Sequence, residues 1–574
     1  MSSTTSSPRV RLRQGTYIGR HIPATRYQPK ALEVFLGIPY AQSTAGANRF
    51  RPAQPLDIAG STKDGDAIPA VELGPISPFT DATAEPLPSS EDCLSVNVTR
   101  PALPEGDALL PVMVYIHGGA FNMGFGGDRD LASFVAFAKR DVVVVSFNYR
   151  LGVLGFLAVE DGEGAKEGLN LGLGDQRVAM EWVRENIGAF GGDGGNVTLM
   201  GISAGGHSVG HHILSYTPQA APFHKAILES GSPTSRAIWY PSHPRQKTQL
   251  QDFLSALGLS PTEPNPLAAL RSLPLEELTA AASKTWQKYE SSVRWPFQPV
   301  IDDSTFIPDR PLELWRKGAG VRIPVITGFC THEGTAFVSP CHSSEEFRAF
   351  FTTLIPGLTE ADLDRLEELY PGPPPSSTSE ETLTTQHHYA APPPSPALGP
   401  HWRRLEAAYA HYAYIAPVLY TAHQLSISSP SSPVYVYEFA ASSPPLATAN
   451  HTDETPFVTH SLKELEPHAG LVHVSERMHG FFADFVAGGG DGVLEGWPAF
   501  TSPWAAEEEG GKGGDVGKIM VFGKGNDERV AGERGGVGRK GVPCDVRSLS
   551  EREIEQIGFW WERTALSQGF GERE

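Results

Sequence analysis

Residues Gly201 to Gly205, with the sequence Gly-Ile-Ser-Ala-Gly, have the spacing of a turn that carries a catalytic serine. They follow a short apolar run, Asn196 to Gly201, and precede a segment with helical character. A sharp turn between a strand and a helix leaves room only for small neighbours, and it lifts the serine oxygen clear of the main chain. The hydroxyl of Ser203 would then lie at a helix N-terminus, where developing negative charge is favoured. The segment therefore predicts nucleophilic attack by Ser203.

A nucleophilic serine needs hydrogen-bond donors for the oxyanion that its attack creates. The segment His117-Gly-Gly-Ala-Phe121 follows an apolar run and can supply two of them. We expect the main-chain N–H groups of Gly118 and Gly119 to face the oxyanion, joined by the N–H of Ala204 after the nucleophile. Glycine suits this position because the main chain must approach the substrate closely and adopt unusual dihedral angles.

A serine hydroxyl is a weak nucleophile, so a histidine base and an acid must lie elsewhere in the chain. In α/β-hydrolases the order is nucleophile, acid, base. Glu333 follows an apolar run that ends at Phe329, and His451 lies beyond a later run. Chain order alone does not single out His451, because four other histidines also follow Glu333. They are His460, His468, His473 and His479.

The first 235 residues alternate short β-branched runs with helical stretches, a pattern typical of an α/β protein with a mainly parallel sheet. Pro111 to His117 and Asp141 to Tyr149 are nearly continuous apolar runs, as expected for central strands that helices cover on both faces. Between them we predict a crossover helix at Leu131 to Lys139. Asp175 to Ile187 has apolar residues at helical spacing and predicts another helix.

Beyond residue 240 the pattern is mostly helical. The predicted helices are Gln246 to Leu257, Pro266 to Leu273, Ser344 to Leu354, Glu360 to Leu369 and Trp402 to Gln424. The predicted strands are Val321 to Phe329 and Val434 to Phe439. Residues 371–400, 426–433 and 507–541 are rich in Pro, Ser, Gly or charge, and we expect surface insertions or mobile loops there. No clean linker is evident, so we expect one large domain over residues 1–574.

Charge and length narrow the classes of partner. The 574 residues carry 46 Lys and Arg against 66 Asp and Glu, a formal net charge of −20. This balance opposes nucleic-acid binding and stable association with anionic membranes. The N-terminal sequence MSSTTSSPRVRLRQG lacks the apolar core of a signal peptide, and no apolar run is long enough to span a membrane. We therefore predict a cytoplasmic protein.

Long, ordered matches connect the chain to a known family. The matching segments are Phe35-Leu-Gly-Ile-Pro-Tyr-Ala41, Arg49-Phe50, Glu91-Asp-Cys-Leu-Ser-Val-Asn97, His117 to Phe121, Ser146-Phe-Asn-Tyr-Arg-Leu-Gly152, Asp175-Gln-Arg177, Phe190-Gly-Gly-Asp193 and Val197 through Gly206. Through them the chain resembles the carboxylesterase/lipase type-B family, which also includes cholinesterases. Further stretches, Trp295 to Asp302 among them, are most similar to fungal carboxylesterases.

The resemblance implies an α/β-hydrolase fold, with a mostly parallel central sheet flanked by helices and a large helical cap and gorge region in the second half. It also implies the catalytic roles residue by residue. Ser203 is similar to the nucleophile of the family, Glu333 in its Glu-Gly motif to the acid, and His451 in its His-x-Asp-Glu-x-Pro-Phe segment to the base.

The resemblance assigns supporting roles as well. Arg49 with Glu91, and Arg150 with Asp175, match positions that form buried ion pairs in relatives. These four residues are expected to be structural, because a buried charge without a partner would be costly. Ser230 matches a serine that lies close to the catalytic histidine in relatives.

Two departures from the family pattern bear on substrate and compartment. Ile202 stands before the nucleophile, where many relatives carry Glu, so affinity for cationic, choline-like substrates is not expected. Cys93 matches the first disulfide cysteine of the family, but residues 67–75, where its partner is expected, contain no cysteine. The missing bridge favours a reducing compartment.

These features predict a serine carboxylic-ester hydrolase that acts on a small-molecule ester without a metal or an organic cofactor. Two alternatives stay open. A lipase or sterol esterase would need a large apolar lid, and a non-catalytic cholinesterase-like binding protein would have lost the serine. Neither the physiological substrate nor the oligomeric state follows from the sequence.

Overall fold

The computed structural model describes residues 7–56, 67–81, 84–102, 108–160, 165–235, 238–303, 306–373, 393–429, 431–508 and 516–567. Its strands are β1 (Arg9–Leu12), β2 (Gly15–Ile18), β3 (Arg20–Ile22), β4 (Leu32–Pro39), β5 (Ala67–Pro69), β6 (Ser95–Pro101), β7 (Leu110–Ile116), β8 (Val143–Phe147), β9 (Gly192–Ile202), β10 (Lys225–Glu229), β11 (Val325–Cys330), β12 (Val434–Phe439), β13 (Lys518–Lys524) and β14 (Val542–Ser548).

Eleven of these strands form one sheet in the order β14-β13-β12-β11-β10-β9-β7-β8-β6-β4-β3. The seven strands from β13 to β8 pair in parallel, and antiparallel pairs lie towards both edges. The inner strands β8, β10, β11 and β12 are buried along their whole length, as expected for parallel strands covered on both faces. The predicted α/β-hydrolase architecture is therefore confirmed.

Helices lie between the strands and make up most of the second half. They are α1 (Leu131–Phe137), α2 (Gly152–Phe156), α3 (Leu171–Asn186), α4 (Ala204–Ser215), α5 (Pro244–Ala256), α6 (Pro266–Arg271), α7 (Leu275–Tyr289), α8 (Pro311–Arg316), α9 (Ser344–Leu354), α10 (Glu360–Leu369), α11 (Trp402–Ala410), α12 (Ala416–Ser428), α13 (Thr455–Thr459), α14 (Leu462–Leu465), α15 (Ala469–Ala487), α16 (Pro503–Glu508), α17 (Glu528–Glu533), α18 (Glu551–Glu562) and α19 (Thr564–Ser567). Helices α5 to α8 lie in the chain between β10 and β11, and α9 to α12 lie between β11 and β12.

The topology brings several sequence-predicted residues to one edge of the sheet. Strand β7 ends just before His117, β9 just before Ser203, β10 just before Ser230 and β11 three residues before Glu333. These strands are neighbours and parallel, so the loops after their carboxyl ends meet. In sheets of this kind, ligands bind outside the carboxyl ends of the strands.

Several predicted elements need correction. The expected loop at residues 507–541 contains β13, whose residues Ile519 to Gly523 are buried, so its apolar run outweighs the Gly-rich and charged neighbours. The expected loop at 426–433 is helical as far as Ser428. Within the expected insertion at 371–400, residues 374–392 lie outside the described part of the chain, and a short 3-10 helix occupies Pro396–Leu398.

Proline accounts for two further differences. The predicted strand at Val321 to Phe329 begins only at Val325, after Pro324, whose nitrogen carries no hydrogen for a ladder bond. The predicted single helix at Trp402 to Gln424 contains a π-helical turn at His411–Ile415. Pro417, two residues after the end of this turn, cannot donate to the carbonyl four residues back, which fits a wider turn at this point.

All four cysteines, Cys93, Cys330, Cys341 and Cys544, carry free thiols. In the described part of the chain, every helix is too short or too polar to cross a membrane.

Candidate active site

Ser203 occupies a strained turn between β9 and α4. Its φ of 55° lies in a region that a serine rarely adopts, and such strain is a common feature of functional positions. The main chain is held on both sides: Ser203 N–H donates to Glu229 O at 2.8 Å, and His207 N–H donates to Ser203 O at 2.8 Å. The hydroxyl therefore lies at the first turn of α4, where the helix dipole favours negative charge.

Small residues around Ser203 are required by close main-chain contacts. A Cβ on Gly201 would lie 2.3 Å from Gly205 O, and a Cβ on Gly205 would lie 2.1 Å from Ile116 O. Both distances are far below van der Waals contact with rigid main-chain atoms. The two glycines of the Gly-x-Ser-x-Gly pattern thus let strand, turn and helix pack this closely.

His451 joins Ser203 to Glu333 across long separations in the sequence. The hydroxyl oxygen of Ser203 lies 2.8 Å from His451 Nε2, and Glu333 Oε2 lies 2.5 Å from His451 Nδ1. The loops that carry the acid and the histidine are tied to each other, because His332 N–H donates to Ala449 O at 2.9 Å. The structure brings together the three side chains that the sequence proposed as nucleophile, base and acid.

The glycine-rich loop after β7 lies directly against the nucleophile. A Cβ on Gly118 would come within 3.1 Å of the Ser203 Cβ, and Gly119 has a φ of 102° that favours glycine. Among the described residues, the N–H groups of Gly118 and Gly119 donate no hydrogen bond. Ala204 is the first residue of α4, so its N–H has no acceptor within the helix. Three donors beside Ser203 are therefore available to an oxyanion.

Ser230, which the resemblance placed close to the catalytic histidine, belongs to a buried network behind Glu333 whose other members the sequence analysis did not identify. Ser230 donates its hydroxyl to Glu333 Oε1 at 2.5 Å, and Cys330 N–H donates to the same oxygen at 2.7 Å. Ser230 also lies 3.3 Å from Glu454 Oε1, which accepts from Tyr437 OH at 3.2 Å. The hydrogen bonds of the Ser230 hydroxyl thus reach the acid and Glu454 rather than the histidine.

Glu454 adds a second carboxyl group close to the acid. Burial, together with the nearby charges of Glu229 and Glu333, raises its pKa to about 8. A protonated Glu454 can donate to the oxygen of Ser230 while Ser230 donates to Glu333. The one sequence signal for a role of Glu454 near the acid is its position three residues after His451, in the same short motif.

Aromatic rings enclose the histidine. The Tyr414 ring centroid lies 4.5 Å from the ring centroid of His451, and that of Phe337 lies 5.2 Å away. The two aromatic rings stack on each other at 5.5 Å. Tyr414 lies in the π-helical turn, so this distortion of the helix contributes directly to the wall of the site.

The ion pairs expected from the resemblance are present, and both are bidentate. Arg49 Nε lies 2.5 Å from Glu91 Oε1, and Arg150 Nη2 lies 2.7 Å from Asp175 Oδ1. Each guanidinium also donates to main-chain carbonyl oxygens, such as Leu273 O and Arg51 O. Buried charges that are paired and hydrogen-bonded in this way hold loops near the site in place.

A third buried ion pair was not expected. Arg129 donates to both carboxylate oxygens of Glu229, one of them at 3.0 Å. Glu229 is the last residue of β10, directly before Ser230. The pair therefore fixes the strand end from which the Ser230 hydroxyl reaches the acid.

Comparisons with known proteins give a consistent result. A model described as the carboxylesterase family matches residues 6–508. The chain is 34% identical to secreted lipase 4 of Gibberella zeae over 488 residues, which cover 82% of this chain and 83% of that protein. It is 36% identical to the para-nitrobenzyl esterase of Bacillus subtilis over 339 residues, or 58% of this chain and 66% of that protein.

The solved structures agree with the sequence matches. The crystal structure of Aspergillus niger EstA superposes with a TM-score of 0.76 and 25% sequence identity, covering 99% of this chain and all of that chain. A para-nitrobenzyl esterase structure superposes with a TM-score of 0.71 and 28% identity, covering 96% of this chain and all of that chain.

Proposed function

Since the chain belongs to the carboxylesterase family and is a carboxylic-ester hydrolase, we propose that Ser203, His451 and Glu333 carry out the reaction through an acyl-enzyme. The observation that carries the proposal is the unbroken hydrogen-bond chain from the Ser203 hydroxyl through the imidazole of His451 to the Glu333 carboxylate. Its three members come after the carboxyl ends of β9, β11 and β12, which belong to the parallel part of one sheet.

In the first half of the reaction, Ser203 Oγ attacks the ester carbonyl carbon while His451 Nε2 accepts the hydroxyl proton. Glu333 orients the imidazole and stabilises the imidazolium that forms. Gly118, Gly119 and Ala204 donate to the oxyanion of the tetrahedral intermediate. The C–O bond to the alcohol then breaks, and His451 returns its proton to the departing alkoxide oxygen.

In the second half, a water molecule replaces the alcohol. His451 accepts a proton from the water, whose oxygen attacks the acyl carbon of the acyl-enzyme. The same three N–H groups hold the second oxyanion. Collapse of this intermediate releases the carboxylic acid and returns the proton from His451 to Ser203 Oγ, which restores the starting state.

Two finer points stay proposals. Hydrolysis of general carboxylic esters is proposed over the lipase alternative, and the likeness to the para-nitrobenzyl esterases supports it. The predicted cytoplasmic location gains no support from the Gibberella zeae relative, whose name calls it secreted.

The test uses p-nitrophenyl esters with acyl chains from C2 to C16, and compares wild type with Ser203→Ala. We expect turnover that is highest for short chains and is lost in the variant. A fluorophosphonate probe should also label wild type, and peptide mass spectrometry should place the label on Ser203. An optimum at long chains would favour the lipase alternative, and turnover that persists in Ser203→Ala would contradict the proposed nucleophile.

A further inference from the structure

A small cleft lies beside the active site and has an unusual polar lining. Its free volume is about 40 Å³. That is room for about three water molecules, or for one carboxylate-sized group. The polar residues that line it are Arg245, Arg294, Gln246, Gln249 and Gln298. The rest of its described lining is aliphatic or aromatic and includes no Asp or Glu.

The cleft is directly connected to the catalytic elements. Gln298 donates its side-chain amide to Ala120 O, in the glycine-rich loop, at 2.9 Å. On another wall, the ring of Trp295 lies 5.7 Å from that of Phe337, which packs in turn against His451. The cleft therefore shares its walls with residues that contact the oxyanion loop and, through Phe337, the catalytic histidine.

Arg294 is the residue in the cleft whose charge is not neutralised. Its Nε atom is buried and makes no hydrogen bond, and the guanidinium forms no ion pair with a described residue. The nearby carboxylate of Asp252 is already engaged by Lys288 at 2.6 Å and by Tyr289 OH at 2.5 Å. A buried donor without an acceptor lowers the stability of the fold. An anion in the cleft could accept a hydrogen bond from this donor and so recover that free energy.

Arg245 contributes a second guanidinium to the lining of the same cleft. It extends from α5 with its guanidinium carbon 4.4 Å from the ring centroid of Trp239, which orients the planar group. Guanidinium groups bind carboxylates through parallel hydrogen bonds. The chain as a whole carries a charge of −20 and repels anions, so Arg294, which forms no ion pair with a described residue, makes this cleft a local exception.

We propose that the cleft is a subsite for an anionic group of the substrate, and that Arg294, with Arg245 in the same lining, binds a carboxylate on the ester. This inference rests on the proposed function, because it assigns a substrate class to the same site. The preferred substrates are esters that carry a second, free carboxylate several bonds from the scissile carbonyl. The size of the cleft favours a carboxylate over a bulkier anionic group.

The kinetic test compares charged and neutral esters of equal length. One pair, p-nitrophenyl hydrogen adipate and p-nitrophenyl hexanoate, carries the carboxylate on the acyl part. A second pair, 4-acetoxybenzoate and 4-methylphenyl acetate, carries it on the alcohol part. The variants are Arg294→Gln, Arg294→Lys and the control Arg184→Gln, which removes an exposed arginine of α3.

We expect Arg294→Gln to lower kcat/KM for the charged ester of at least one pair by about tenfold to a hundredfold, mainly through KM, because a charge-assisted hydrogen bond is lost. Arg294→Lys should lose less, since it keeps the charge but not the planar donors. The neutral esters should change little in every variant. Equal losses for charged and neutral esters, or no loss for either charged ester, would overturn the inference.

A binding measurement separates this inference from the proposed chemistry. Calorimetry of both charged esters with Ser203→Ala protein needs no turnover, and Arg294→Gln in that background should weaken the binding of the ester that shows the kinetic loss by the same factor. If wild type hydrolyses hexanoate but Arg294→Gln leaves the binding of both charged esters unchanged, the subsite is wrong and the proposed function stands. If wild type hydrolyses none of the esters, the proposed function fails and this inference fails with it.

Discussion

Around Ser203 the active site is built from main-chain atoms, whereas around His451 it is built from hydrogen bonds between side chains. The turn at Ser203 and the loop at Gly118 and Gly119 depend on contacts that leave no space for a Cβ. The acid and base depend on bonds that join residues more than 100 positions apart, such as Glu333 to Ser230.

This difference teaches how each half of the site should respond to substitution. Main-chain packing is rigid, so one added methyl group must displace backbone that other elements hold. In a side-chain network each residue makes several hydrogen bonds, so the loss of one hydroxyl leaves the other bonds in place. The nucleophile side should therefore be intolerant of small changes, and the base side should respond in graded steps.

The largest effect is expected at the residue that joins the two halves. His451→Ala removes the group that accepts the Ser203 proton, and we expect kcat to fall by about 10⁴-fold to 10⁶-fold. Single-substrate kinetics with p-nitrophenyl butyrate measures it. His473→Ala is the matched control, because His473 is exposed and also follows Glu333 in the chain. Comparable losses in both variants would refute the assignment of the base.

On the main-chain side, Gly119→Ala should come next. A Cβ there would lie 2.1 Å from Met123 O, and the φ of 102° is strained for alanine, so an oxyanion donor must move. We expect kcat to fall by about 10²-fold to 10³-fold with little change in KM. Gly188→Ala is the control, since nothing lies within 4 Å of its added Cβ. A melting temperature near that of wild type would tie the loss to chemistry, and an unchanged kcat would remove Gly119 from the oxyanion site.

On the side-chain side, Ser230→Ala should have a smaller effect. It removes one of two donors to Glu333 Oε1 and leaves the Cys330 N–H in place. We expect kcat/KM to fall by about tenfold. The loss should appear in kcat rather than in KM, because a carboxylate with one donor fewer orients His451 less well for proton transfer. Ser133→Ala, which removes a buried hydroxyl bonded to His460 O, should change neither constant. An unchanged kcat would assign Ser230 a purely structural role.

The smallest effect concerns stability at Glu406, whose carboxylate accepts from the N–H of Gly334 next to the acid. Burial raises the pKa of Glu406 to about 8. Between about pH 4.5 and pH 8 the folded chain thus keeps a proton that the unfolded chain releases, so stability falls as pH rises through this window. Glutamine cannot ionise, so the Glu406→Gln variant should not lose stability in this way as the pH rises.

Thermal unfolding at pH 5 and pH 8 compares how the Tm of Glu406→Gln and the Tm of wild type depend on pH. Relative to wild type, the variant should gain about 1–3 °C in Tm on going from pH 5 to pH 8. Glu181→Gln, at an exposed position of α3, should show no such trend. A constant difference between Glu406→Gln and wild type at the two pH values would contradict a proton held on Glu406.

Local signals explain which elements the sequence predicted well. The bounds of α9 and α10 agree with prediction at both ends, because Ser343 and Thr359 cap their first turns through side-chain hydrogen bonds. The bounds of β12 agree as well, since its apolar run is continuous. By contrast, β13 was hidden by its surroundings, because composition averaged over 507–541 masks seven residues that pair within the sheet.

The sequence by itself determined the nucleophile turn and the oxyanion loop, because both are local. A tight turn and a close approach of main chains require glycine at fixed positions, and those positions can be read along the chain. Only the tertiary structure decided that His451 contacts Ser203, that Glu454 lies behind the acid, and that Arg294 lines the cleft. These contacts join segments from separate strands, and their partners are set by how the sheet orders those strands, which no local pattern encodes.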